Sequence, residues 1–227
     1  MRGRAVLALM ALLFLPAAAG ADEVSTLVDK VVANYGGRQK LAAIRTLHET
    51  GQISSLRTGQ TGTVERWFAS PDRLRLDTRY PNGEEESRIL DKTIAYKNGA
   101  PAQGPLVTAT KLQAARFRLP LLLSEKPPKL TGTTPEGWKV LAVDLGEGMI
   151  VEAQIDPAQA LIRRSRGLLS MGGQIMEFVT DYDDFRKVDG VLVAHREGHA
   201  AMGITTGESR LDKVEINSAL GDGVFKP

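Results

Sequence analysis

The chain contains no cysteine. Disulfide staples are therefore excluded, and so is the lipid-bearing cysteine that a bacterial lipoprotein carries directly after its signal. An excess of either charge is missing too. Lys and Arg total 29 against 27 Asp and Glu, and the acid-free leader holds Arg2 and Arg4, so residues 22–227 carry 27 of each. A neutral chain without a basic block is a poor partner for nucleic acid, because phosphates are gathered by clustered positive charge. Beyond the leader there is no long apolar run, no internal repeat and no low-complexity tract. No glycine-rich phosphate loop precedes a helix, and no G-x-S-x-G elbow surrounds a serine.

What is present begins with the leader. Met1-Arg2-Gly3-Arg4 is basic, Ala5 to Leu15 is unbroken apolar sequence, and Pro16 leads to small residues ending Ala19-Gly20-Ala21. That is the layout of a secretory signal peptide cleaved before Asp22. Its apolar core of eleven residues falls short of the ~20 needed to cross a bilayer. The expected organisation is a signal peptide over 1–21 and one domain over 22–227, soluble in the periplasm, with outright secretion as the alternative. About 206 residues remain, enough for one core that stands without disulfides.

Periodicity then supplies the elements. Val24, Leu27, Val28, Val31, Val32 and Tyr35 make one helical stripe, with Asp22 or Ser25 available as N-cap and Gly36-Gly37 as terminator. A second short helix, 38–45, shows Leu41 and Ile44 on one face. From there the chain alternates, with strands predicted at 49–56, 63–69, 73–80, 86–90 and 93–97; Pro81-Asn82-Gly83 is a hairpin signal. Residues 98–106 read as a loop, 107–117 as a helix, and Pro120 ends or kinks it before Leu121-Leu122-Leu123. After a break at Lys126-Pro-Pro-Lys129, further strands follow at 139–145, 149–156, 161–169, 176–185, 191–197 and 207–216. Connections this short make neighbours antiparallel. The predicted class is α+β: about 10–11 strands in a curved antiparallel sheet, an incomplete half β-barrel, with helices over its concave face. A sheet of that size curls, and whatever the helices leave bare is an apolar groove.

Trp67, Leu74, Leu76, Met149, Val151, Ala153, Met176, Phe178 and Tyr182 fall at alternate strand positions that would point inward, either as packed core or as a cavity lining. Periodicity does not separate the two. Leu112, Leu119 and Leu121–Leu123 are the candidate lid.

Several blocks in order resemble one family. YGG-x-x-KLxxIxTLxxxG over 35–51 and SPDRLRLD over 70–77 come first. IDPAQALIRR over 155–164, DYDDFRKVDGVLVAHREG over 181–198 and LDKVEINSALGDGVFKP over 211–227 follow. Together they resemble the superfamily of periplasmic lipoprotein carriers, the LolA/LolB-like outer-membrane lipoprotein-sorting proteins. The chain carries Ala194-His195 where relatives often have proline, and it lacks the classical sorting protein's Phe-Gln pair, so the likeness is to the outer group of the superfamily. The resemblance implies an open half-barrel around a hydrophobic cavity. It implies as partners lipid or lipoprotein acyl chains and a membrane-bound donor or acceptor protein, no cofactor, and a monomer.

Enzyme chemistry finds little footing. His195 and His199 flank Glu197, but the zinc-protease order is H-E-x-x-H on a helix. On a strand the two rings would stand about 13 Å apart, whereas one zinc binds its ligands at about 2.1 Å; exposed strand positions are the expectation. The Gly-Gly-Gln of 172–174 and Ser170 fit a hairpin turn. Asp181, Asp183 and Asp184 lack calcium-loop spacing. The function expected is a non-enzymatic carrier or chaperone. Its rivals are a sensor or interaction module of the same fold, and a hydrolase drawing on Asp and on His48, His195 or His199.

Overall fold

The computed structural model describes residues 17–227, with side chains from 22 onward, so residues 1–16 of the leader expected over 1–21 lie outside the described residues. Helix α1 (Ala17–Asn34) is already under way before Asp22 and Ser25, so neither is its N-cap. The alanine-rich sequence of 17–21 favours helix strongly enough to extend it backwards. Gly36, at φ 124°, ends the helix and α2 (Arg38–Ala42) follows.

The strands are β1 (Thr46–Ser55), β2 (Thr61–Ala69), β3 (Arg73–Arg79), β4 (Glu85–Asp91), β5 (Ile94–Lys97) and β6 (Ala100–Pro101), then β7 (Lys129–Thr133), β8 (Lys139–Gly146), β9 (Met149–Asp156), β10 (Leu161–Met171), β11 (Gln174–Val188), β12 (Val191–Ala201) and β13 (Ile204–Ile216). They form one 13-stranded sheet in the order β6-β5-β4-β3-β2-β1-β13-β12-β11-β10-β9-β8-β7. Two antiparallel meanders are thus joined where the first strand pairs with the last, Leu47 opposite Ile216 and Ser55 opposite Gly207. The sheet does not close; β6 and β7 are its edges. Those two strands also account for the excess over the expected count. β6 is two residues long and ends in a proline, which an edge tolerates. Every residue of β7 is exposed, so it shows no apolar alternation.

Helices α3 (Pro105–Arg116) and α4 (Leu119–Glu125) form the link between the meanders. Pro120 sits in the first turn of α4, a position where its missing N–H costs nothing. Helix α3 touches β3, β4 and β5 on one wall and β9 and β10 on the other. Laid flat, β4 and β10 would be about 34 Å apart at ~4.8 Å per strand, while twelve helical residues span only about 18 Å. The sheet is therefore strongly curled, with α3 as a bar across the trough. Gly167 eases this fit: a β-carbon there would lie 3.2 Å from Cβ of Leu112, close enough that the leucine would have to give way slightly.

Two apolar clusters fill the ends. The larger packs α1, α2 and α4 on β8–β10, with Val31, Leu123, Leu141 and Ile155 almost fully buried; the smaller joins Leu47, Phe68, Leu74 and Leu90 to Ala114 of α3. Tyr35 pins α1 to the sheet, its hydroxyl accepting the N–H of Ile162 at 3.1 Å. No helix among the described residues is long and apolar enough to cross a membrane.

Candidate ligand cavity

Between α3 and the sheet lies a cavity of about 910 Å³, and a smaller one of about 120 Å³ sits under α2 and α4. Leu76, Val151 and Phe178 line the larger, roofed by Leu112. Tyr182, Leu119 and Leu121 line the smaller. Leu74 and Met149 face the same side of the sheet but are packed core, as are Leu122 and Leu123 of α4. Trp67 lies on the other face. Its strand partners are His48 and Arg75, whereas Phe68 pairs with Leu74 and Arg66 with Leu76. Trp67 stacks on His48 with ring centroids 5.3 Å apart, and the Arg75 guanidinium lies 5.7 Å from its ring. Arg66 takes the inner position that the tryptophan was expected to hold.

The trough is correspondingly not oily throughout. A polar band crosses its floor, made by Arg66 and Glu49 from the first meander, Glu197 and Ser209 from the second, and Arg116 hanging from α3. Arg66 donates through Nη1 to Glu197 Oε2 at 2.6 Å, and Arg116 through Nη1 to Glu197 Oε1 at 3.1 Å. Arg66 Nε lies 3.1 Å from Glu49 Oε2, but neither atom is aligned for a hydrogen bond. Arg66 is 1% exposed, Glu49 5% and Glu197 6%. Burial pushes the Glu197 carboxyl up, yet Arg116 and Arg66 together outweigh it and hold the group well below the usual carboxylate range. For Glu49 burial prevails over Arg66, with Glu197 acting in the same sense as burial, and the carboxyl is pushed above its ordinary range.

The histidines need correcting. His195 and His199 do not sit on the solvent face; with Glu197 they occupy the inner positions of β12, because the outer parity belongs to Arg196, which pairs with Glu208. His195 Nδ1 lies 3.0 Å from the carbonyl oxygen of Leu211, and His199 Nε2 lies 2.8 Å from Ser209 Oγ. Burial drives His199 down to about 4, against the pull of Glu197, so it is neutral near pH 7. A Ser-His-carboxylate relay needs the acid on the far ring nitrogen. Here Glu197 approaches the same Nε2, at 3.9 Å. Ser209 is also 1% exposed in mid-strand, paired on both sides, which leaves no backbone N–H for an oxyanion. Among the described residues no three His, Asp or Glu side chains are grouped to hold a metal ion.

The polar band was missed although parity announced it. Glu49 shares a face with Leu47, and Arg66 shares one with Val64 and Phe68. Charges in core-phase positions are the signal.

No protein-family model and no curated protein sequence matches the chain. Solved structures do match. The chain is similar to LolA superfamily protein NE2245 from Nitrosomonas europaea, with TM-score 0.58 and 9% identity over 90% of this chain and 97% of that one. Looser matches are a domain described as an outer membrane lipoprotein-sorting protein, from Vibrio parahaemolyticus (TM-score 0.46, 10% identity, 90% and 97% covered), and a DUF1329 family protein from Desulfovibrio piger ATCC 29098 (TM-score 0.49, 9% identity, 89% and 97% covered). The fold is LolA-like.

Proposed function

We propose that this protein is exported, loses residues 1–21, and works in the periplasm as a non-enzymatic carrier for the acyl chain of a lipoprotein or another lipid. One observation carries the reading: the curled sheet and its crossbar helix leave about 910 Å³ unfilled, at the upper end of the ~300–1,000 Å³ of small-molecule sites. Leu76, Leu112, Val151 and Phe178 supply apolar walls there. Burying an acyl chain against them gains about 0.8 kcal/mol per CH₂. The α3–α4 link is the only cover over the trough's middle among the described residues, so its displacement is the route of entry and release, towards a membrane-bound donor or acceptor. The LolA-like fold supports this assignment.

Mass spectrometry of organic extracts from the natively purified protein tests it. A lipid recovered near one per chain is the expected result; protein that is consistently empty, and stays empty when offered acyl lipids, overturns it. A second reading is favoured by β7, an edge strand with all five residues exposed, which is open to strand addition by a peptide. A polypeptide co-purifying in place of lipid selects that interaction module.

A further inference from the structure

The polar band sets two guanidiniums against two carboxylates and still leaves one guanidinium donor unmatched. Arg66 and Arg116 share one firmly ionised carboxylate, that of Glu197. Among the described residues the other acid beside them, Glu49, is 5% exposed and lies 3.1 Å from Arg66 Nε without a hydrogen bond. Further along the same wall, Glu86 is already shared by Arg88 at 2.5 Å and Lys97 at 2.9 Å. Arg66 is the sharpest anomaly. Its side chain is 1% exposed and lines the larger cavity, yet Nη2 has no hydrogen-bond partner among the described residues. A buried guanidinium donor left unmatched calls for an acceptor. Arg116 stands beside it and borders both cavities.

Resting on the carrier reading, we propose that the ligand is an acyl chain with a single anionic head, a carboxylate, seated against Arg66 Nη2 and Arg116 while the chain lies along Leu76, Leu112, Val151 and Phe178. The planar guanidinium fork matches a carboxylate. One unmatched donor calls for a singly charged acceptor, since a doubly charged head costs more to strip of water in a buried site. The neutral Ser209 hydroxyl nearby adds polarity to the floor without adding charge.

Isothermal titration of the mature chain with dodecanoate, dodecyl phosphate and the neutral dodecanoyl glycerol ester tests this. The expected result is dodecanoate bound at least tenfold tighter than the neutral ester, with the preference falling to near parity in Arg116→Met and Arg66→Met. Thermal melts run alongside show whether each variant is folded; if Arg66→Met is not, Arg116→Met decides. Equal binding of acid and ester by the wild type overturns the anionic seat and leaves the carrier standing. Tighter binding of the phosphate than of dodecanoate overturns the carboxylate assignment. Failure to bind any of the three overturns the carrier reading itself.

Discussion

Arg66 on β2 and Glu197 on β12 are joined at 2.6 Å although two strands, β1 and β13, run between them. On a flat sheet these residues would be about 14 Å apart. The contact exists because the sheet curls, and once made it braces the curl, tying one meander to the other at the seam where the first and last strands pair.

Breaking that brace leaves two buried guanidiniums facing each other. Glu197→Gln is expected to lower stability by about 3–5 kcal/mol, a fall in Tm on the order of 10 °C. Replacing Glu49, Arg66, Arg116 and Glu197 together by methionine recovers most of the loss, since no charge of the band then remains unpaired. Calorimetry of the two variants checks both expectations.

His199 makes stability depend on pH. Its folded-state pKa, lowered to about 4 from 6.5, means that the unfolded chain takes up a proton first as pH falls. The contribution is complete above pH 6.5 and drains away between there and about pH 4, with a slope of up to about 1.4 kcal/mol per pH unit. Denaturant titrations across that window show the slope, and His199→Gln flattens it.

Tyr35 fastens the first helix to the irregular stretch of β10, where the register shifts between Ile162 and Arg164. Tyr35→Phe strands the Ile162 N–H in the core, for an expected loss of about 1–3 kcal/mol. Hydrogen exchange at Ile162 quickens in the variant, which a purely global loss would not single out.

Gly36 permits the turn from α1 into α2. With φ 124° and a would-be β-carbon 2.8 Å from the carbonyl oxygen of Gly190, Gly36→Ala forces a shift of backbone against backbone. The expected cost is about 1–3 kcal/mol, read from the urea midpoint.

The two faces of the sheet differ in their consequence for cargo. On the carrier reading, Phe178→Asp sharply reduces the lipid recovered from purified protein, while Trp67→Ala, on the outer face, leaves it unchanged. Equal loss in both would contradict the placement of the binding surface.

Much of this architecture was readable from local pattern. The stripe from Val24 to Tyr35, the Gly36-Gly37 stop and the alternation of Leu74 with Leu76 each depend on neighbours within a few residues. The strands that escaped, β6 and β7, lie at edges where nothing must be buried, so no apolar rhythm marks them. Trp67 misled because alternation alone does not say which parity faces inward, and the inner slot beside it belonged to Arg66.

The amino-acid order alone therefore determined the eleven strands that bury an apolar face and the helical stretches beside them, since period and punctuation are short-range properties. Only the tertiary structure decided what the trough contains. Glu49, Arg66, Arg116 and Glu197 come from four separate elements, and their meeting depends on how far the sheet bends. That bend is set by β1 pairing with β13 and by α3 lying across both walls, contacts between residues far apart in the chain that no local pattern encodes.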